Sequence, residues 1–404
     1  MNPHSSAWHH RLVLCLAASA LSLVIVAGCE KKDLRPRQPI AAQDIKIGVL
    51  YMADPDRETS GFTYEHQAGI RAMQKALGLT DEQILIGRNV PETDFAEEER
   101  RLREFAAAGV NIVFATSDGY DDASVKAAAE YPGIVFSTLA GLHRNATNLT
   151  NYYGAIHQAR YLSGIVAGLQ TKTNKIGYVA AMGMENSEVT SGLNAFALGV
   201  ESVNPDARIL VHVTHNWSDP AGEALATRIL IERGSDIVTH HTDTPTPIRE
   251  AQKAGVLGIG YNSDMRREAP DIVLTSVVWH WEAYYTALAQ SVIDGSFTTA
   301  PSFMGIKDGL CGLSPLNSKL IAPGTREALA RATARIGDDS GIFDGVMETN
   351  DGRLIGQADG KLSPRDIVHN ITWYYRNIVE IHTAAPGAAP LPPHSAYFQQ
   401  AAPS

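Results

Sequence analysis

The feature that most constrains this chain is the regular alternation, from Ile45 onward, of short apolar runs with amphipathic segments of helical period. Ile45, Ile47, Val49 and Tyr51 are interleaved with Gly48 and Leu50, the pattern of a strand covered on both faces in a parallel sheet. The segment 66–77 then carries apolar side chains at Ala68, Ile70, Ala72, Met73, Ala76 and Leu77, close to helical spacing, and a loop before it delivers Phe62 and Tyr64. Strand-like runs at 83–88, 111–116 and 134–139 alternate with helical patterns at 95–108 and 122–130. Strand, helix, strand at this spacing predicts βαβ units and a parallel sheet.

The alternation then repeats. An extended stretch at 148–153 leads into a long helix at 156–171, where Gly164, Ala167 and Gly168 permit close packing suited to a crossing between two lobes. Strands are predicted at 175–182, 208–217, 236–242, 256–261 and 272–279, with helices at 187–203, 220–233 and 245–254. The fold class is therefore α/β, with two Rossmann-like lobes. A helix at 281–293 precedes a glycine-punctuated segment, 304–313, that fits a further crossing. Beyond it lie helices at 323–336 and 364–382, with a hairpin at 348–360 whose Asn350-Asp351-Gly352 turn suits positive φ. The Ala/Pro-rich stretch 384–404 reads as a disordered tail.

Composition narrows the function. With 404 residues, 44% hydrophobic and 19% charged, the chain has globular composition and room for two domains. A formal charge of −10 and the absence of a Lys/Arg cluster argue against nucleic acid, because phosphate neutralisation needs a basic face. No G-x-G-x-x-G follows a strand and no G-x-x-x-x-G-K-[ST] occurs, so the two Rossmann-like layers lack a nucleotide fingerprint.

The N-terminus reads as a targeting segment. Arg11 with His9 and His10 precedes an apolar run, 12–27, that ends at Ala27-Gly28 directly before Cys29. Val26-Ala27-Gly28-Cys29 resembles the lipobox of bacterial lipoproteins, whose leader is cleaved before a cysteine that becomes lipidated. The competing reading is an uncleaved membrane anchor. Residues 30–44, with Lys31, Lys32, Arg35, Pro36, Arg37 and Pro39, look like a polar tether. With Cys29 lipidated and its leader gone, Cys311 has no partner, so no disulfide is expected.

Catalytic chemistry has no positive signal. His240 and His241, with Asp243 nearby, invite a metal, but neighbours on a strand point to opposite faces and cannot both ligate one ion. No G-x-S-x-G elbow appears, and no His is identifiable as a base for Cys311. No cofactor, metal or catalytic residue is expected. Aromatic, acidic and amide groups instead recur after strand ends. They are Phe62 and Tyr64; the turn Ser117-Asp118 with Tyr120 and Asp122; Trp217 and Asp219; Asp243; Asn262 and Asp264; and Trp279 and Trp281. In open α/β sheets ligands bind at that edge, and an aromatic-walled slot with carboxylates and amides at its rim fits a flat, hydrogen-bonding ligand better than a sugar phosphate. Each residue also has a plainer reading: Phe62 as a staple on its own helix, Asp219 and Asp243 as helix caps, Trp281 as core.

At these residues the chain resembles the basic membrane protein family of lipoproteins, the purine-type substrate-binding proteins of ABC importers. The resemblance runs from about 45 to 312, through GFTYEHQAG, FATSDGYDDAS, AGLQTKTNKIGYVAAM, GLNAFALGVESVNPDA, HNWSDPAGEA, VTHHTDTP, GIGYNSDM, TSVVWHWEAYY and GIKDGLCGLSP. It implies the type I periplasmic-binding-protein fold, in which lobes joined by hinge crossovers close on a ligand without catalysing a reaction. The expected organisation is a leader at 1–28, a tether at 29–44, lobe 1 from 45–154 and 281–322, and lobe 2 from 155–280 and 323–383. The resemblance implies a purine sandwiched between Phe62 and Trp217, with its edge held by Asp122. Tyr64, Ser117 and Asp243 join them as candidate ligand-binding residues. Nucleoside-binding relatives clamp ribose with an Asp and a Lys, where this chain has Asn262 and Trp279. That departure favours a free base such as adenine over a nucleoside. The implied partners are an ABC permease and ATPase, with the protein anchored at a membrane and facing the periplasm or cell exterior. The alternatives are a nucleoside receptor, or a signalling lipoprotein of the same fold that presents ligand occupancy to a regulator.

Overall fold

The computed structural model describes residues 38–336 and 342–382; the expected leader, the expected lipidation site Cys29 and the expected tail at 384–404 lie outside the described residues. Strands β1 (Ile47–Leu50), β2 (Ile84–Gly87), β3 (Ile112–Ala115), β4 (Val135–Leu139) and β5 (Leu149–Gly154) alternate with helices α1 (Phe62–Leu77), α2 (Phe95–Ala107) and α3 (Asp121–Glu130). Helix α4 (Ile156–Gln170) carries the chain to a second set. There β6 (Lys175–Ala180), β7 (Arg208–Val213), β8 (Ile237–His241), β9 (Leu257–Asn262) and β10 (Val273–Trp279) alternate with α5 (Ser187–Glu201), α6 (Pro220–Glu232) and α7 (Thr246–Ala254). The chain then runs through α8 (Glu282–Ile293), β11 (Ser302–Met304), β12 (Cys311–Leu313) and α9 (Thr325–Ile336). It ends in the hairpin β13 (Met347–Glu348) and β14 (Leu354–Ile355), then α10 (Pro364–His369) and β15 (Ile378–Glu380).

Among the described residues two large sheets form, ordered β11-β5-β4-β3-β1-β2 and β12-β10-β9-β8-β6-β7-β15. The pairings are parallel except for β12 on β10. This is the α/β, two-lobed architecture expected. Burial explains the apolar runs: every residue of β1, β3 and β10 is buried, which is what helices on both faces of a parallel sheet impose. Each fully buried Ile or Val contributes roughly 1.5–3 kcal/mol over an exposed one.

The chain passes between lobes three times: from Gly154 into α4, from Trp279 into α8, and between Met304 and Cys311. The three passages lie side by side. The Ala155 N–H donates to the Met304 carbonyl (2.8 Å), the His280 N–H to the Leu310 carbonyl (2.7 Å), and the buried Cys311 thiol to the Ala155 carbonyl (3.5 Å). The glycine-punctuated crossing at 304–313 is thus present. Its consequence is that β12 pairs with the second sheet, so 281–322 is not wholly with the first lobe: the exchange falls between Met304 and Cys311.

Two further expectations change. The helix expected over 364–382 stops at His369, and β15 takes the edge of the second sheet beside β7. The bulky Ile371, Trp373, Tyr374 and Tyr375 pack into the second lobe's core instead of continuing the helix. The buried Asn194 of α5 secures their backbone, donating to the Trp373 carbonyl (2.8 Å) and accepting from the Tyr375 N–H (2.9 Å). At the other end of the chain, α1 starts at Phe62 and not at His66, so Phe62 and Tyr64 belong to its first turn and not to a loop.

Candidate ligand-binding site

A cavity of about 680 Å³ lies between the lobes, at the carboxyl ends of the strands, within the size range of small-molecule sites. The first lobe contributes Phe62 and Thr63 from the start of α1, Ser117 and Asp118 after β3, Ala140 after β4, and Tyr153 and Gly154 at the end of β5. The second contributes Asn186 and Glu188 at the start of α5, Asn216 and Trp217 after β7, Asp243 after β8, Tyr261 in β9 and Trp279 at the end of β10; Trp281, just before α8, completes the wall.

The aromatic side chains are held by other rings. Phe62 sits edge-on to His66 (centroids 4.5 Å apart), so the staple on its own helix and the wall of the cavity are one residue. His66 in turn stacks on Trp281 (4.5 Å), and Trp281 on Trp279 (4.4 Å), a row of flat groups spanning the second crossover. Trp279 is tucked against Gly154, where a Cβ would stand 2.1 Å from its ring; only a glycine lets the first and second crossovers approach this closely. Trp217 packs edge-on to His241 (6.0 Å).

The lining carries five carboxyl groups, Glu58, Glu92, Asp118, Glu188 and Asp243, and one cation, Arg249. Arg249 is committed to Glu268 (2.8 Å from Nε). Burial raises the Asp243 pKa well above the ordinary carboxylate range, and the neighbouring Glu188, Glu223 and Glu92 push the same way. Glu188 is pushed up to about 7, first by burial and then by Asp118, with the buried Arg160 guanidinium opposing. Arg160 lies beneath the site, 3.9 Å from the Tyr261 ring centroid, and donates to the His240 carbonyl (2.9 Å).

Phe62, Ser117, Trp217, Asp243 and Trp279 of the expected residues all line this cavity. The Ser117 hydroxyl is engaged with Glu92 and also accepts from the Gly119 N–H (3.3 Å). Asp243 caps no helix; its carboxyl accepts from the Asn262 amide at 3.5 Å, and its own N–H donates to the Trp217 carbonyl (2.8 Å). Asn262 is fully buried behind Asp243, at φ 67, outside the lining. Asp219 is a helix cap, accepting from the Gly222 N–H (3.1 Å). Tyr64 also stands outside the lining, its hydroxyl 3.4 Å from Arg267 of the second lobe. Asp122 does not reach the cavity: the turn after β3 winds directly into α3 and leaves it exposed on a neighbouring pocket, while Asp118 of the same turn faces the main one.

Glu58, Glu92, Tyr153 and Glu188 were not among the expected residues. Tyr153 ends a strand and could have been found by the rule that located the others. Glu188 is masked because it follows its strand by a loop and an Asn186 cap, and it reads as an ordinary first-turn acid. Among the described residues no group of three His, Cys, Asp or Glu side chains is placed to hold a metal ion, and no helix is long and apolar enough to cross a membrane. Both histidines of the suspected pair are buried: His240 bonds to Thr242 (3.0 Å) and His241 to Tyr178 (3.3 Å).

The lobes touch across the cavity's edge. The Gly61 N–H donates to Ser263 Oγ (3.2 Å), and Thr59 and Ser60 donate to Glu268 (3.0 and 3.1 Å). The cavity is therefore seen closed.

Comparison with known proteins agrees with this architecture. The chain is 35% identical over 314 residues to a purine-binding protein of Brucella abortus, covering 77% of this chain and 87% of that protein. It is also 35% identical over 225 residues to a putative ABC transporter glucose-binding protein of Haloferax volcanii, covering 54% of this chain and 57% of that one. In fold it matches an ABC transporter solute-binding protein of Conexibacter woesei, with a TM-score of 0.62 at 18% identity over 73% of this chain and 97% of the other. A family model matches residues 46–330, and the chain belongs to that family, the PnrA-like ABC transporter substrate-binding proteins.

Proposed function

We propose that this protein is the extracytoplasmic substrate-binding component of an ABC importer, held at a membrane through a lipid on Cys29, and that it binds an adenine-like purine base between its lobes. The observation that carries this reading is the make-up of the cavity: aromatic side chains from both lobes, five carboxyl groups, and a single arginine already paired. Aromatic faces favour a flat ring, and carboxylates accept from ring N–H groups and an exocyclic amine. A phosphate would need unpaired Arg or Lys, so a nucleotide is disfavoured. The purine-binding relative points the same way.

In this reading Phe62 and Trp217 sandwich the ring, and Ser117 and Asp243 contribute polar groups at its edge. Asp118 takes the edge-holding role that the resemblance gave to Asp122. Trp279, wedged on Gly154, fills volume that a sugar would need, and Asn262 orients Asp243 without a charge of its own. No reaction is proposed. A thermal-shift panel of adenine, guanine, hypoxanthine, xanthine, their nucleosides and glucose tests the reading. The largest shift is expected with a base; a larger one with glucose or a nucleoside contradicts it.

A further inference from the structure

Asp243, after β8, opens onto the cavity between the lobes. Its N–H is bonded to the Trp217 carbonyl (2.8 Å), and Gly61 of the first lobe packs against its carbonyl oxygen, so its backbone is fixed when the cleft is closed. The carboxyl itself has little to hold a charge. Among the described residues Oδ1 accepts one long bond, from the Asn262 amide (3.5 Å), and Oδ2 accepts none. The charged groups that face it are acids from three elements: Glu188 of α5, Glu223 of α6 and Glu92 from the loop after β2. The nearby cations are engaged elsewhere. Arg249 of α7 is bonded to Glu268, and Arg160 lies behind Tyr261, with its guanidinium over that ring and on the His240 carbonyl. His240 and His241 of β8 are held neutral by burial.

A carboxylate enclosed without a cation or strong donors is far more costly than the neutral acid, so a ligand that displaces water from the cavity leaves this carboxyl its proton. The rise of its pKa well above the ordinary carboxylate range, by burial first and by the neighbouring glutamates next, agrees. The order of the two oxygens is fixed as well. Oδ1, which accepts from Asn262, is the carbonyl oxygen, and Oδ2 carries the proton. A neutral carboxyl held this way offers one donor beside one acceptor. The edge of a 6-aminopurine is its complement, a ring nitrogen that accepts beside an amine that donates. A 6-oxopurine of the same shape presents the two in the opposite order.

We propose that Asp243 selects a 6-aminopurine over its 6-oxo isostere by meeting the ring edge as a neutral carboxylic acid, its Oδ2–H donating to the ring nitrogen and its Oδ1 accepting from the exocyclic amine. The inference rests on the purine reading and deepens it by naming the group that tells adenine from hypoxanthine. Asp118, from the other lobe, is left to accept from a ring N–H.

The test is isothermal titration of the full chain with adenine and with hypoxanthine, in wild type, Asp243→Asn and Asp243→Ala, with melting temperatures to establish that each variant is folded. A mismatched buried donor or acceptor costs on the order of 5- to 150-fold in affinity, and wild type should favour adenine by a factor in that range. Asparagine keeps a donor beside an acceptor and removes the titratable proton, so Asp243→Asn should retain most of the adenine affinity and the preference, whereas Asp243→Ala should lose the preference. The infrared spectrum of wild type with adenine should carry the C=O band of a protonated carboxyl that is missing in Asp243→Asn. A folded Asp243→Asn protein that loses adenine as heavily as Asp243→Ala, or wild type that binds hypoxanthine as tightly as adenine, overturns the proposal and leaves purine binding intact. Wild type that binds neither base overturns the purine reading, and this selection with it.

Discussion

Replacing Gly61 by alanine tests whether lobe contact and ligand binding are one event. Gly61 precedes α1 at φ 95 and ψ −163, a backbone region that side chains rarely enter. An added Cβ would stand 2.2 Å from the Asp243 carbonyl oxygen of the second lobe, where ordinary contacts begin at 3.4 Å. The obstacle is backbone and cannot rotate away, so the lobes must part by roughly 1 Å or the loop must refold. The altered backbone costs about 1–3 kcal/mol in any state of the cleft. The parting costs more only when closed, because it breaks the Gly61–Ser263 bond and the Thr59 and Ser60 bonds to Glu268. A neutral hydrogen bond is worth about 0.5–1.5 kcal/mol and one to a charged group about 1.5–3; Thr59 and Ser60 share one Glu268 oxygen and count as a single charged contact, so closure should lose roughly 2–4.5 kcal/mol and binding weaken about 30- to 2,000-fold. Isothermal titration with adenine gives the affinity, and small-angle scattering with ligand gives the radius of gyration, which should stay larger than in wild type. A folded Gly61→Ala protein with wild-type affinity and the wild-type compaction would refute the argument.

The other expectations are simpler. Phe62→Ala or Trp217→Ala should each weaken purine binding about 5- to 150-fold, since stacking a base on an aromatic is worth roughly 1–3 kcal/mol, and Phe62→Trp should be tolerated; wild-type affinity in Trp217→Ala removes it from the site. Glu188 is raised to about 7 in the closed cleft by burial and Asp118, so closure takes up a proton. That stabilisation is full below the ordinary carboxylate range and is lost as pH rises through about 7, so affinity should fall on the order of tenfold between about pH 5.5 and 8 and the dependence should flatten in Glu188→Gln. Affinity that rises with pH would mean that the ligand itself needs the ionised Glu188. Cys29→Ala should release the protein from membranes or block leader removal; normal processing with wild-type membrane fractionation would show that no lipid anchor is attached there.

Periodicity made both lobes and the succession of their central strands and helices along the chain legible, because parallel strands buried on two faces leave an unmistakable apolar run between helical segments. It was weakest where a tertiary partner replaces a local signal. Nothing local in 370–377 announces that Asn194, far away in sequence, will satisfy its backbone in place of helical bonds. The start of α1 was hidden because Gly61 offers no side-chain acceptor as a cap. At the site, Trp217, Asp243 and Trp279 lie at or just beyond strand ends, and that position alone places them in the cavity lining, while Phe62 follows β1 by a loop and was read from its place before the first helix. Asp122 was expected there from the family resemblance, as the acid in the turn after the third strand, but a short 3₁₀ turn at Asp118–Tyr120 leads straight into α3 and leaves it outside the lining. Glu188 was missed because it meets Asp118 and Tyr153 in one lining only across the cleft, a relation between lobes that no spacing within one lobe can express.

The central claim is that a purine base sits between the lobes, and native mass spectrometry of the full chain purified without added ligand, then incubated with adenine or glucose, addresses it most directly. The account predicts one adduct per chain with the mass of a purine base, either retained from expression or gained on adding adenine, and lost in Trp217→Ala. An adduct with the mass of a hexose, or no adduct with any amount of adenine, would contradict it.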